Sequence, residues 1–115
     1  MYTEAVYGSL SPIPDLFYKA AARTDGVARA TMGADIIAGE YGCHQRTVTA
    51  GWAKPMACAH GSDDVFINTD YLEGVPFGNL YGSEIQKFPT GHSPFLEDPN
   101  AFNSWLAGFI KHVYG

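Results

Sequence analysis

The stretch that most limits what this chain can fold into lies at its end. Asp98 is followed by Pro99, and then Phe102, Trp105, Leu106, Phe109, Ile110 and Val113 recur at offsets 0, 3, 4, 7, 8 and 11. That spacing lines up apolar side chains along one stripe of an α-helix. The Asp98 carboxylate suits the orphan N–H groups of a first turn, and proline suits the first helical position. A helix with one apolar stripe has to bury it against another layer, so the upstream sequence must supply that layer.

Two short segments qualify. After Lys54-Pro55, Met56-Ala57-Cys58-Ala59 is an apolar run without alternation, the pattern of a strand covered on both faces. Ser83 to Phe88 is a second strand candidate, and Thr69 to Glu73 between them suits a helical turn. Strand, short helix, strand, long helix is the order of a parallel α/β layer. Upstream, the opening through Pro14 is rich in Gly, Ser and Pro and reads as a loop or arm. Asp15 caps a helix from Leu16 to about Arg23. Thr24 or Asp25 caps a second one through Val27, Ala30, Ala34, Ile37 and Ala38, stopped by Gly39, and a third covers His44 to Ala50. The fold class is therefore α/β, with two parallel strands at about 56–59 and 83–88, N-terminal helices and a long C-terminal helix. Residues 1–51 form the arm and helices, and 52–115 the α/β segment of one structural unit.

Composition narrows the function. The 115 residues carry a net charge of −5, and their seven Lys and Arg are scattered, which excludes the basic face of a nucleic-acid binder. No apolar run reaches the length of a membrane span, and the N-terminus lacks the basic and apolar regions of a signal peptide, so a cytoplasmic protein is expected. Cys43 and Cys58 have no CxxC spacing and read as two buried thiols rather than a framework. Only 17% of residues are charged against 46% hydrophobic, which suggests apolar surface reserved for a partner.

Chemistry concentrates at the exits of the two strands. His60-Gly61-Ser62-Asp63-Asp64 follows the first, and Gly91-His92-Ser93-Pro94 follows the second. Ligands gather at the carboxyl ends of parallel strands, so both places suit a site. Taken singly, Asp63 and Asp64 equally suit a turn, and His92 a surface histidine. Together they place an acid and a histidine at neighbouring strand ends, and a carboxylate accepting the histidine Nδ1–H is the supporting half of a catalytic triad. A metal site from His60, Asp63, Asp64 and His92 is the weaker alternative, because its spacing is uneconomical. No cofactor motif is present.

The pattern resembles the C-terminal part of the α/β-hydrolase family. Pro55 with Met56–Ala59, followed by Gly61-Ser62-Asp63-Asp64, is similar to that family's apolar strand and G-x-x-D motif. Gly91-His92-Ser93-Pro94-Phe95-Leu96-Glu97-Asp98-Pro99 is similar to its G-H-x-P-x-x-E-x-P signature before a final amphipathic helix. The resemblance implies Asp64 as the acid and His92 as the base, with Glu97 and Pro99 at supporting positions and an ester-like small molecule as substrate. The segment from Phe17 to Ala50 resembles the lid region more loosely. Nucleophile, acid and histidine follow one another in that family's chain order, yet no G-x-S-x-G elbow occurs in these 115 residues. Ser62, Ser93 and Cys58 are the nearby hydroxyl and thiol groups, and none stands in an elbow. The chain alone is thus expected to be inactive, or to need a nucleophile-bearing partner chain. An exposed edge at Met56–Ala59 leads to an expected homo-oligomer or a non-catalytic binding and assembly module as the other reading.

Overall fold

A computed structural model describes residues 2–7, 10–40 and 42–115. The chain runs α1 (Tyr2–Tyr7), α2 (Asp15–Arg23), α3 (Gly26–Ala38), α4 (Gln45–Gly51), β1 (Ala59–Gly61), α5 (Thr69–Glu73), β2 (Gln86–Phe88), α6 (Pro94–Glu97) and α7 (Pro99–Tyr114). The α/β class with two parallel strands, N-terminal helices and a long final helix is therefore the observed one.

The helices begin and end where local chemistry dictates. Asp25 caps α3 by accepting the N–H groups of Val27 at 2.7 Å and Ala28 at 3.0 Å, and Gly39 closes it in the left-handed region at φ 72°. Asp98 accepts the Ala101 N–H at 3.1 Å, ahead of Pro99 in the first turn of α7. Asp15 differs from expectation: it lies inside the first turn of α2, and Pro14 precedes it without a side-chain bond. The opening also differs. Residues 2–7 are helical, with Val6 and Thr3 buried and the Tyr7 ring stacked 4.2 Å from that of Phe17. Of the expected opening loop, Gly8 and Ser9 lie outside the described residues.

The sheet is two-stranded and parallel, pairing Ala59 with Gln86, His60 with Lys87 and Gly61 with Phe88. Its ladder sits further along the chain than the apolar run suggests. Met56 makes an isolated parallel bridge with Leu80, and the regular strand starts three residues later and runs through His60 and Gly61. The second strand is likewise shorter than 83–88, because residues 81–83 form a 3-10 turn with Gly82 at φ 71°.

Helix α5 reaches both strands through two side chains. Thr69 and Glu73, four apart and so on one side of the helix, reach neighbouring partners: Thr69 Oγ1 lies 2.9 Å from His60 Nε2, and Glu73 pairs with Lys87. Phe88, buried, meets the rings of Phe102 and Trp105 of α7 at centroid distances of 5.8 and 5.9 Å. The apolar stripe thus lands on β2 as its spacing requires. Further along α7, Tyr81 packs on Phe109, while Ile110 and Val113 remain exposed. Among the described residues only Val6 and Phe88 are buried hydrophobic side chains, and Val27, Met32, Ile36 and Ile37 on α3 stand open.

Candidate active site

Both strands deliver their exits to one edge of the sheet. Past β1, the Ser62 N–H donates to the Phe88 carbonyl at 2.8 Å and the Asp63 N–H to that of Thr90 at 2.9 Å. These bonds carry the pairing beyond the ladder and hold the acidic loop against the histidine loop. They are possible because residue 61 is a glycine. A Cβ there would stand 2.5 Å from Thr90 O and nearer still to Gly91 O. The requirement is close approach, not backbone conformation.

Asp64 and His92 meet at this edge. Asp64 Oδ2 lies 2.9 Å from His92 Nδ1, and Oδ1 accepts the N–H groups of Phe66 at 2.8 Å and Ile67 at 3.3 Å. The Asp64 side chain is 4% exposed, so it is out of water and its orientation is fixed from both oxygens. Burial pushes the Asp64 carboxyl up, but the Phe66 N–H, the His92 ring and the Ile67 N–H together outweigh it and hold the group below the usual carboxylate value. An ionised carboxylate only accepts, so His92 Nδ1 carries the proton, and in the neutral ring Nε2 keeps its lone pair. The ring is 35% exposed and the edge of Phe66 meets it at 5.1 Å. The arrangement presents an oriented basic nitrogen whose protonated form lies next to a negative charge.

His60 is the second histidine at this carboxylate. It is buried, its Nε2 bonds Thr69 Oγ1, and its Nδ1 is 3.9 Å from Asp64 Oδ2, too long for a hydrogen bond. His60 therefore ties the two ends of the Asp64 loop together. Glu97 does comparable work across the site, its Oε2 accepting the Gly91 N–H at 2.7 Å and its Oε1 the Ser93 N–H at 3.0 Å. Sequence reasoning gave His60 no such role, since the signal is a contact with Thr69 nine residues away.

The other candidates do not join the pair. Ser93 is buried beside it, Ser62 follows β1 on the exposed loop, and among the described residues no hydroxyl or thiol is hydrogen-bonded to His92. Of the two thiols expected to be buried, Cys43 is exposed on the segment before α4 and Cys58 is half-buried; burial pushes the Cys58 thiol up, which lowers its thiolate fraction. Among the described residues no three His, Cys, Asp or Glu side chains converge as a metal-holding group, and no helix is long and apolar enough to cross a membrane.

No family model and no curated protein matches the chain. Solved structures do. A crystal structure of the N-acyl homoserine lactonase AidH in complex with N-butanoyl homoserine superposes with a TM-score of 0.89 and 33% identity over 98% of this chain. The fold is the C-terminal part of an α/β-hydrolase. Two variants of the same lactonase, one bound to N-hexanoyl homoserine lactone and one to N-hexanoyl homoserine, match with the same TM-score and identity. The present chain spans only about 40% of the length of these hydrolase structures.

Proposed function

We propose that this chain supplies the acid and base of an α/β-hydrolase site that opens the ester ring of an N-acyl homoserine lactone, with the nucleophile coming from polypeptide outside these 115 residues. The observation that carries the reading is the 2.9 Å contact between Asp64 Oδ2 and His92 Nδ1, built on a carboxylate already fixed by two backbone N–H groups. The likeness to a lactonase at 33% identity supports the substrate class.

In this reading His92 Nε2 takes the proton of the nucleophile's hydroxyl as its oxygen attacks the lactone carbonyl. Asp64 holds the imidazole in the productive tautomer and stabilises the imidazolium. The ring C–O bond then breaks, and His92 returns the proton to the departing homoserine oxygen. A water, deprotonated by the same nitrogen, then attacks the acyl carbonyl; the bond to the nucleophile's oxygen breaks, that oxygen recovers the proton from His92, and the N-acyl homoserine is released. The exposed apolar residues of α3 and the end of α7 support docking of further polypeptide, which would complete the core.

The test is complementation. The chain is combined with a polypeptide carrying the nucleophile elbow and earlier strands of the related lactonase, and acid release from N-hexanoyl homoserine lactone is followed. Turnover is expected, with Asp64→Asn lowering it by roughly 10⁴-fold through the wrong histidine tautomer. Turnover that survives His92→Ala would remove the proposal. A folded, inactive mixture showing the same stable association would favour the assembly-module reading.

A further inference from the structure

We infer that Glu97 is a positioning residue for His92, a carboxylate that holds the peptide groups on both sides of the base. This rests on the reading of Asp64 and His92 as a working pair. The geometry is specific to the histidine loop. Oε2 accepts from Gly91 N at 2.7 Å and Oε1 from Ser93 N at 3.0 Å, so one side chain fixes the residue before and the residue after His92. Fixing both flanking N–H groups sets the backbone of His92, and with it the direction of its Cα–Cβ bond toward Asp64. A carboxylate suits the task because it is acceptor-only, with an oxygen for each donor and charge-assisted bonds to both.

Helix capping accounts for only part of this. Glu97 ends the four-residue α6, and its bond to Ser93 N lies at the start of that helix, where Ser93 itself makes no side-chain cap. The bond to Gly91 N reaches two residues further back, past His92, where no helical N–H remains to be satisfied. The neighbouring Asp98 faces the other way and caps α7 through Ala101 N. Two consecutive acids thus tie the histidine loop to the start of the final helix. The opposite side of the loop is held by the Asp63 N–H on Thr90 O and by the close approach of Gly61. His92 therefore sits between two anchors, one made by the acid's own loop and one by Glu97.

The experiment is proton NMR on the 115-residue chain, with circular dichroism and thermal melts confirming that each variant folds. The His92 Nδ1 proton, held on the Asp64 carboxylate at a heavy-atom distance of 2.9 Å, is expected to give a far-downfield resonance. In Glu97→Gln, nearly isosteric, one amide oxygen still accepts one N–H while the NH₂ group faces the other. Exchange of one of the Gly91 and Ser93 amides is then expected to rise roughly tenfold, and the His92 Nδ1 proton to broaden and exchange faster. In Glu97→Ala both amides lose protection and the downfield resonance disappears. A lower melting temperature with the His92 resonance and its exchange unchanged in Glu97→Gln would show that Glu97 stabilises the chain without positioning the base, and would overturn the inference. If Glu97→Ala does not fold, Glu97→Gln decides alone. Asp64→Asn separates the two readings: persistence of the downfield resonance in that variant would sink the acid–histidine pair itself, whatever Glu97 does.

Discussion

Gly61→Ala should damage the site more than any change of one methyl group elsewhere in the sheet. The new carbon would stand 2.5 Å from Thr90 O and closer to Gly91 O, where ordinary contact begins at 3.4 Å. Both neighbours are backbone atoms of the histidine loop and have no rotamer to swing aside. The loop must withdraw by at least about 0.9 Å. Transferred to the pair, that displacement stretches the 2.9 Å Asp64–His92 contact to about 3.8 Å, beyond hydrogen-bond range. The Ser62–Phe88 and Asp63–Thr90 bonds, at 2.8 and 2.9 Å, lengthen with it. Two weakened backbone bonds at about 1 kcal/mol each, added to an overpacking cost of about 1–3 kcal/mol, give a destabilisation of about 3–5 kcal/mol. For a chain of this size that lowers the melting temperature by roughly 10–20 °C. Thermal melts followed by circular dichroism provide the stability, and the downfield His92 proton the geometry. Gly33→Ala is the control: it lies within α3, nothing stands within 4 Å of its added methyl, and it should gain about 0.5–1 kcal/mol. A Gly61→Ala protein that melts with the wild type and keeps the His92 resonance would refute the claim that close approach sets the pair.

Acid should unfold the chain partly through Asp64. Its folded carboxyl titrates below its usual 3.8, so the stability it contributes is complete above that value and is lost as pH falls through the folded one. Denaturant midpoints at about pH 5 and about pH 2.5 should therefore converge in Asp64→Asn relative to the wild type; equal acid losses in both proteins would contradict this. Asp25→Ala removes the cap of α3 and should cost about 1 kcal/mol in urea unfolding, with Asp25→Asn close to neutral. Cys58, half-buried with its thiol pushed up, should react with a disulfide reagent at neutral pH well below the rate of exposed Cys43, and comparable rates would argue against that burial.

What could be read from the residues alone was what local chemistry controls. The bounds of α3 follow from Asp25 and Gly39, and the start of α7 from Asp98 and Pro99, because caps act within one turn. The stripe from Phe102 found Phe88 because its period leaves only one face to bury. The meeting of Asp64 and His92 followed from strand exits and a family motif. The strand bounds were displaced because a four-residue apolar run carries no register. His60 and Gly61 look unlike strand residues until Thr69 takes the imidazole and Gly91 presses on the glycine. Helix α1 was hidden by the Gly, Ser and Pro that follow it, and its anchors, Val6 and the Tyr7–Phe17 stack, are tertiary. Glu97 was visible only as a position in a signature. That its carboxylate turns back across His92 depends on a fold the signature does not describe.

The parallel register has a consequence for how such a site tolerates change. Gly61 faces Phe88, and the acid and the histidine follow three and four residues beyond those partners. Insertions within the crossover between the strands lengthen a loop and leave this count untouched, at little entropic cost. An insertion of one residue between Gly61 and Asp64, or between Phe88 and His92, advances one partner by about 3.3 Å against the other and turns its side chain toward the opposite face. Length variation should therefore accumulate in the loop after α5, beyond the Phe66 and Ile67 N–H groups that hold Asp64 and the Thr69 hydroxyl that holds His60, and be purged from the two short spacers, where the pairing of the strands works as a ruler for the distance between acid and base.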